Sequence, residues 1–227
     1  MHFMGFLNTP YGLGDSEEPD NPCSPDDAFA YAQRTFGDFE FPEAVAPRDP
    51  YHCHPREGYL CGMHAGKTSE IYLVAAVTQR KILLLLDELL DCFSSRPCTV
   101  ALGSRHDPLA PREFWRCHID APVLRSTLGE YEDLLLGDGS IDICVMTPRQ
   151  QSSRELQFLR DKHFLMYGTT LRSLVPFERV LRSHGISLDP TLKVLEEDQL
   201  IRQSTPEHSR RFEELCTDLG AEEWEDD

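Results

Sequence analysis

The sequence predicts a single α+β domain: a mixed sheet of four to six strands, packed by three to four helices and flanked by acidic, partly irregular ends. Two observations lead to this fold class. Segments with helical and with strand-like apolar patterns follow one another irregularly, which favours a sheet covered by helices. Two short apolar runs are separated by the polar tripeptide Arg160–Lys162, which indicates an antiparallel hairpin and argues against a doubly wound parallel sheet.

Three parts are expected along the chain. Residues 1–50 form an acidic, Pro-rich arm with one short helix, which begins at Ser24 and Pro25 and runs to Phe36. Residues 51–205 form the α+β body, and residues 206–227 form a C-terminal helix and an acidic tail. Helices are predicted from Thr68 to Phe93, over 121–136 with a stop at Gly137, over 171–184 with a stop at Gly185, and after a capping signal at Ser204–Glu207. Strands are predicted at 98–102, 114–119, 141–146 (central in the sheet), 155–158, 164–167 and, at a sheet edge, 191–195.

The formal charge of −17 belongs almost entirely to the two ends. Residues 1–50 carry ten acids and two bases, and residues 207–227 carry nine acids and two bases, whereas the stretch between them holds twenty acids and eighteen bases. Phosphate binding draws its affinity from clustered Lys and Arg, so this distribution argues against a nucleic-acid partner. Acidic ends either keep a protein soluble or recognise a basic partner protein, and both readings stay open.

The cysteines and the apolar runs predict a cytoplasmic protein. Eight cysteines are scattered along the chain, and the first residues lack the basic and apolar regions of a secretory leader, so reduced thiols are expected. The longest apolar runs, residues 73–77 and 82–86, are far shorter than the ~20 residues that span a bilayer. We therefore expect no membrane partner.

Between His52 and Thr68 the sequence concentrates its chemically active residue types. His54, Cys61 and His64, with His52 as a further candidate, have ligand types that suit a tetrahedral zinc site. Only Cys61 and His64 have the spacing that structural zinc loops show. No cofactor is predicted outright, and zinc is the metal that this segment would bind.

The same segment holds a degenerate phosphate loop at residues 62–68. Gly66, Lys67 and Thr68 match the end of the phosphate-loop motif, but its first glycine is replaced by Cys61. A phosphate loop also follows a strand and begins a helix, and the short Tyr59–Leu60 run is a poor strand. Nucleotide binding is the second alternative function.

His106 and Asp107 are the candidates for catalysis. They lie in a Pro-rich loop after a predicted strand, where functional residues are often found. No nucleophile motif accompanies them. We therefore expect a non-enzymatic, protein-binding domain of the adaptor, immunity or regulatory kind whose partner is another protein; a basic partner follows if the acidic ends take part in binding. The first alternative is a metal-dependent enzyme or zinc-stabilised module.

Overall fold

The computed structural model describes residues 32–63, 71–148, 153–195 and 197–224. Its centre is an eight-stranded sheet in which every neighbouring pair is antiparallel. The strands are β1 (Thr35–Phe36), β2 (Phe39–Glu40), β3 (Val45–Pro47), β4 (Gly58–Met63), β5 (Ile71–Ala76), β6 (Cys98–Ser104), β7 (Arg112–Ile119), β8 (Ile141–Met146), β9 (Arg154–Phe158), β10 (Phe164–Gly168), β11 (Leu200–Arg202) and β12 (Glu222–Glu223). The helices are α1 (Gln79–Asp91), α2 (Ala121–Gly129), α3 (Glu132–Gly137), α4 (Leu171–Ser183) and α5 (Pro206–Leu219).

The α+β class is confirmed, but the sheet differs from the prediction of a mixed sheet of four to six strands. The main sheet has eight strands and is antiparallel throughout. The order across the main sheet is β12-β7-β6-β8-β9-β10-β5-β4, so β8 is central, as its continuous apolar sequence predicts. The hairpin of β9 and β10 is also confirmed, with Phe158 opposite Phe164. Five helices lie among the described residues, one more than the upper expectation.

The largest difference concerns the predicted helix from Thr68 to Phe93. Residues 68–70 of this prediction lie outside the described residues, Ile71–Ala76 is the strand β5, and the helix α1 begins only after Thr78. The segment from Ile71 to Ala76 is rich in β-branched and aromatic residues, and it pairs on both sides, with β4 and with β10. The apolar spacing of this segment fits a helix and a strand equally well. Hydrogen bonding to a neighbouring strand on each side decides in favour of the strand.

The helix predicted over 121–136 is divided into α2 and α3. The break falls after Gly129, and it turns the buried Tyr131 so that its hydroxyl donates a hydrogen bond to Asp218 at 2.5 Å. By contrast, α4 and α5 lie where the sequence predicts. α4 begins with a reciprocal capping box between Thr170 and Ser173 and is followed by Gly185 with φ +74°.

The arm also differs from its prediction. Residues 24–31 of the expected short helix lie outside the described residues, and Thr35–Phe36 pairs with β2 in a tight hairpin around Gly37, whose φ is +60°. Residues 191–195 form no strand; Leu200–Arg202 does, against β3 of the arm. This pairing closes a small second cluster of buried residues, made of Phe39, Phe41, Ala44, Val45, Cys53 and Leu200.

All five helices pack on one face of the main sheet. Their buried side chains belong to a single cluster with strand residues of one alternation, such as Leu102, Val145 and Phe164. Strand residues of the other alternation that are also buried, Ala76, Ala101, Cys144 and Leu165, are absent from this cluster. Side chains alternate between the faces of a strand, so the sheet has a helical face and an opposite face, called the outer face below.

Candidate functional site

Three polar side chains, Ser104, His106 and Asp138, form a hydrogen-bonded chain, called the relay below, at the end of the neighbouring strands β6 and β8. His106 is within 2.7 Å of the Ser104 hydroxyl through Nδ1 and within 2.8 Å of Asp138 Oδ2 through Nε2. A carboxylate can only accept, so Nε2–H donates to Asp138, and Nδ1 is the ring nitrogen that faces the Ser104 hydroxyl. Serine, histidine and aspartate follow one another as in a catalytic triad, but the two ring nitrogens are exchanged: in a triad Nδ1 faces the aspartate and Nε2 faces the serine.

Asp138 is the fixed end of the relay. Its side chain is fully buried, and its second oxygen accepts the backbone N–H of Ser140 at 2.9 Å. Burial raises the pKa of Asp138, but the hydrogen bond and charge of His106, together with the Ser140 N–H, outweigh burial and leave this pKa below its ordinary value. Asp138 therefore stays ionised at neutral pH.

The surroundings of Ser104 leave no room for a substrate. Ser104 is 8% exposed. The adjoining cavity measures about 30 Å³, roughly the volume of one water molecule. It is lined by Gly103, Ser104, Arg105, Pro111, Arg112, Glu113 and Asp142. The relay therefore joins the end of β6 to the α3–β8 connection and does not present a nucleophile to a ligand.

Next to the relay, the turn between β9 and β10 buries a lysine. Lys162 is 1% exposed and has φ +65°, and its backbone N–H donates to Leu159 at 2.7 Å. Its ammonium lies 5.1 Å from the centre of the Phe158 ring, and no hydrogen bond to Nζ is found within the described part of the chain. Burial lowers the pKa of Lys162 to about 8, against the attraction of Asp138, Asp142 and Asp161.

A row of residues crosses the whole outer face, one from each strand of the sheet. In spatial order the row is Leu60, Val74, Leu165, Gln157, Cys144, Ala101, Trp115 and Glu222. Six of these eight side chains are apolar, and Leu60, Val74 and Trp115 are half-buried. None of the described helices packs on this row, since their buried side chains all belong to the helical face.

Aromatic pairs extend the row on both sides. Trp224 lies 5.8 Å from Trp115, measured between ring centroids, and Tyr72 lies 6.1 Å from Tyr167. Gly62 makes room for the second pair, because a Cβ atom there would lie 2.4 Å from the Tyr72 ring. The outer face is thus broad, apolar and aromatic.

Comparisons with protein-family models, curated proteins and solved structures give no match. Within the described ranges, no helix has the length and apolar character needed to cross a membrane.

Of the two catalytic candidates, the structure separates His106 from Asp107. His106 turns inward and joins the relay, whereas Asp107 is exposed and its Oδ1 accepts the backbone N–H of Leu109 at 2.9 Å. Sequence reasoning missed Ser104, Asp138 and Lys162. The one available signal was the Ser-x-His spacing, because residues two apart in a strand share a face.

The zinc candidates are only partly described. His52 is exposed and its Nδ1 lies 2.7 Å from Asp49, His54 is exposed, and Cys61 is exposed on the edge strand β4. His64 lies outside the described residues. In the described ranges no group of three or more metal-binding side chains is found, and the zinc hypothesis stays a prediction.

Gly66, Lys67 and Thr68 of the phosphate-loop hypothesis also lie outside the described residues. They belong to the connection between β4 and β5, two antiparallel strands, whereas a phosphate loop leads into a helix.

The acids of the C-terminal part are largely paired within the fold. Arg112 binds Glu223 through two hydrogen bonds and Glu213 through a third. A surface groove of about 520 Å³ lies beside α5, and both of its arginines already contact other side chains. Arg210 pairs with Glu214, and Arg211 lies 4.3 Å from the centre of the Tyr131 ring. This groove therefore has no cation to offer to a ligand.

Proposed function

We propose that this chain is a non-enzymatic protein-binding domain, of the adaptor, immunity or regulatory kind, that binds its partner through the outer face of the sheet. The observation that carries the proposal is the row of mostly apolar side chains across all eight strands, on the face that no described helix covers. Antiparallel sheets often leave one face to water, and that face is then polar. An apolar outer face instead suits a partner.

The outer face has the size of an interface. Seven strand spacings of about 4.8 Å give a width of roughly 34 Å, and a six-residue strand is about 20 Å long. The resulting area, roughly 700 Å², is comparable with the ~800 Å² that each partner buries in a standard protein complex. The half-buried Leu60 and Val74 would contribute apolar contacts to such an interface.

The relay supports a non-enzymatic function, because its serine is enclosed and the adjoining cavity holds about one water molecule. We also propose a reducing compartment, the cytoplasm. The seven cysteines within the described ranges are all free thiols, and Cys53, Cys98, Cys144 and Cys216 are buried among other side chains.

The test is affinity capture with the full chain and two matched variants. Val74→Arg places a charge in the row, on a half-buried position of β5 next to the edge strand β4. Leu84→Arg is the control, since Leu84 is 55% exposed on α1, on the helical side. Circular dichroism and urea unfolding establish first that both variants fold.

We expect a partner that is recovered with the wild type and with Leu84→Arg and is lost with Val74→Arg. Recovery that is unchanged by Val74→Arg would overturn the outer face as the binding surface. Loss with Leu84→Arg alone would move the interface to the helical side and also contradict the proposal.

A further inference from the structure

The main sheet ends at β4, and the side of this strand that faces away from β5 is covered at its beginning by the chain itself. Tyr59 donates its N–H to Ser187 at 3.0 Å, and its carbonyl accepts the N–H of Asp189 at 2.8 Å. The covering segment then turns away, since Leu192 donates its N–H to the Asp189 carbonyl. The edge of the sheet therefore already holds one extended segment, at Tyr59.

Beyond Tyr59 the edge of β4 is open. In an antiparallel pair, the N–H and C=O of one residue point to the same side, and successive residues alternate. The backbone groups of Cys61 and Met63 therefore point away from β5, as those of Tyr59 do, and within the described ranges they have no backbone partner. Cys61 is exposed and Met63 is 71% exposed. Their side chains lie on the helical side, as that of the buried Tyr59 does.

β4 also lacks the features by which proteins usually protect a free edge. Such edges carry charged side chains, proline or a bulge. The strand Gly58–Met63 contains no charged residue and no proline, and its register with β5 is regular throughout. An unprotected edge of this kind is a template for pairing with another extended chain.

Helix α4 lies beside this edge, on the helical side of the sheet. Tyr59 donates its hydroxyl to Glu178 at 2.8 Å, which places the middle of α4 next to the covered part of β4. Val175 and Leu171 precede Glu178 by three and seven positions, so they continue the same stripe of the helix. They are 43% and 65% exposed. Two apolar side chains of α4 therefore lie in solvent along the edge.

The beginning of α4 is level with the open end of β4. Met63 lies opposite Ile71, and Ile71 lies opposite Gly168, so one row of residues crosses β4, β5 and β10. α4 packs on that row, because a Cβ atom added to Gly168 would lie 3.0 Å from Cγ of Leu174. The open half of β4 and the first half of α4 thus form an apolar edge groove, made of Cys61, Met63, Ile71, Leu171 and Val175.

The charges beside the edge groove are mainly basic. α4 carries Arg172, Arg179 and Arg182 against one acid, Glu178, and this acid pairs with Arg182 at 2.7 Å. Arg172 and Arg179 are exposed, and neither forms an ion pair with another described residue. The strands β4 and β5 contribute no charged side chain. In a chain of net charge −17, this groove therefore has cations to offer to a carboxylate.

We propose that the edge groove binds an extended segment of another protein, which adds a strand to β4 and carries apolar side chains flanked by a carboxylate. Its backbone would pair with Cys61 and Met63. Its apolar side chains would cover Leu171, and its carboxylate would reach Arg172. In this mode of recognition the main chain provides affinity and the side chains provide specificity. The groove is separate from the outer face, so this inference does not depend on the proposed function.

The probe is a synthetic seven-residue peptide of valine and threonine with a glutamate at each end. A second peptide has N-methyl groups on alternate residues, so it keeps the side chains but cannot donate to a strand edge. A third peptide has lysine in place of glutamate. Binding to the full chain is followed by NMR of the ¹⁵N-labelled protein in about 0.15 M NaCl, where a Debye length of about 8 Å screens most of the total charge.

Met63→Pro and Met63→Val separate main-chain pairing from side-chain contact. Both introduce a smaller apolar side chain, but only proline removes the N–H that points away from β5. Proline is tolerated on an edge strand at such a position, so no hydrogen bond of the sheet is lost. Arg172→Gln removes the cation beside the groove, and Arg116→Gln is its control, since Arg116 is exposed on β7 near the opposite edge of the sheet. Urea unfolding establishes first that all four variants fold.

We expect the glutamate peptide to shift the amide signals of Cys61 and Met63. It should bind about two- to tenfold more weakly to Met63→Pro than to Met63→Val, as the loss of a backbone hydrogen bond implies. Arg172→Gln should weaken its binding about two- to fivefold, and Arg116→Gln should leave it unchanged. The N-methyl peptide should not bind, and the lysine peptide should bind more weakly than the glutamate peptide.

Three results would overturn the inference. The first is equal binding of the glutamate peptide to Met63→Pro and Met63→Val. The second is tighter binding of the lysine peptide at the same amides. The third is a wild-type dimer that Met63→Pro converts to a monomer, because the edge would then belong to a second copy of the chain.

Discussion

Replacing Asp138 by Asn, a side chain of nearly the same shape, should strongly lower the free energy of unfolding. It is fully buried and ionised, and it accepts hydrogen bonds from His106 and from the Ser140 backbone. Asp138→Asn removes the negative charge and replaces one carboxylate oxygen by an NH₂ group. That group is a donor, and it would face the His106 Nε2–H or the Ser140 backbone N–H, which are donors too. We expect the free energy of unfolding to fall by roughly 2–4 kcal/mol, measured by urea denaturation at pH 7.

Asp107→Asn is the matched control, one residue after His106 but exposed. It should change stability by well under about 1 kcal/mol. The pKa of Asp138 is lower in the folded protein, so its contribution is complete above the ordinary aspartate value of 3.8 and is lost as the pH falls further. The difference between Asp138→Asn and the wild type should therefore shrink below about pH 4. Equal stability of the two variants at pH 7 would contradict the account of the relay.

At this scale the sequence predicts one member of the relay and not the others. His106 can be identified from the sequence because a histidine in a loop after a strand is often a functional residue. Asp138 lies between two glycines after a helix, which helix termination alone explains. Its hydrogen bond with His106 forms because β6 and β8 are neighbours in the sheet. The two residues are 32 positions apart in the sequence, and no local pattern predicts this contact.

At the scale of elements, local signals succeed where capping and turn residues are decisive. Gly185 follows the end of α4 and Thr205 marks the start of α5, as predicted, and Thr170 caps the start of α4. They fail from Ile71 to Val77, where the apolar spacing fits a helix and a strand equally well and the partner strands decide. The strand β12 could not be predicted from its two glutamates, because the β7 edge and Arg112 hold it in the sheet.

The docking of the arm depends on a glycine. Gly139 donates its N–H to Gln203 at 2.8 Å, and an added Cβ would lie 2.8 Å from Cβ of Arg202 and 3.0 Å from the backbone oxygen of Ala44. Backbone atoms cannot yield cheaply, so Gly139→Ala should push β3 and β11 away from the α3–β8 connection. We expect a loss of about 1–3 kcal/mol in the free energy of unfolding, with faster hydrogen exchange over residues 44–47 and 200–203.

Gly129→Ala provides the control in the same chain. Gly129 is the last residue of α2, and an added Cβ would meet nothing within 4 Å. Alanine restricts the unfolded chain and favours the helix, so this change should stabilise by up to about 1 kcal/mol. Opposite signs for the two substitutions are the diagnostic result; a Gly139→Ala protein as stable as the wild type would mean that the arm does not pack as described.

At the scale of the whole molecule, the charge of −17 acts in two opposing ways. Many carboxylates of the described residues are neutralised by arginines, as Arg112, Arg125 and Arg210 show. These pairs are exposed or half-buried, and pairs of that kind contribute between nothing and about 1 kcal/mol each. The unpaired excess of acid repels itself in the compact state more than in the unfolded chain.

Added salt should therefore stabilise the protein, because it screens the long-range repulsion more than the short contacts. The Debye length falls from about 30 Å at 0.01 M to about 10 Å at 0.1 M, and most of the effect should appear within that range. We expect the urea midpoint to rise with NaCl and with KCl alike, which separates screening from the binding of one ion, and to level off above roughly 0.3 M. A midpoint that falls with salt would show that the arginine pairs stabilise the fold more than the acidic excess destabilises it.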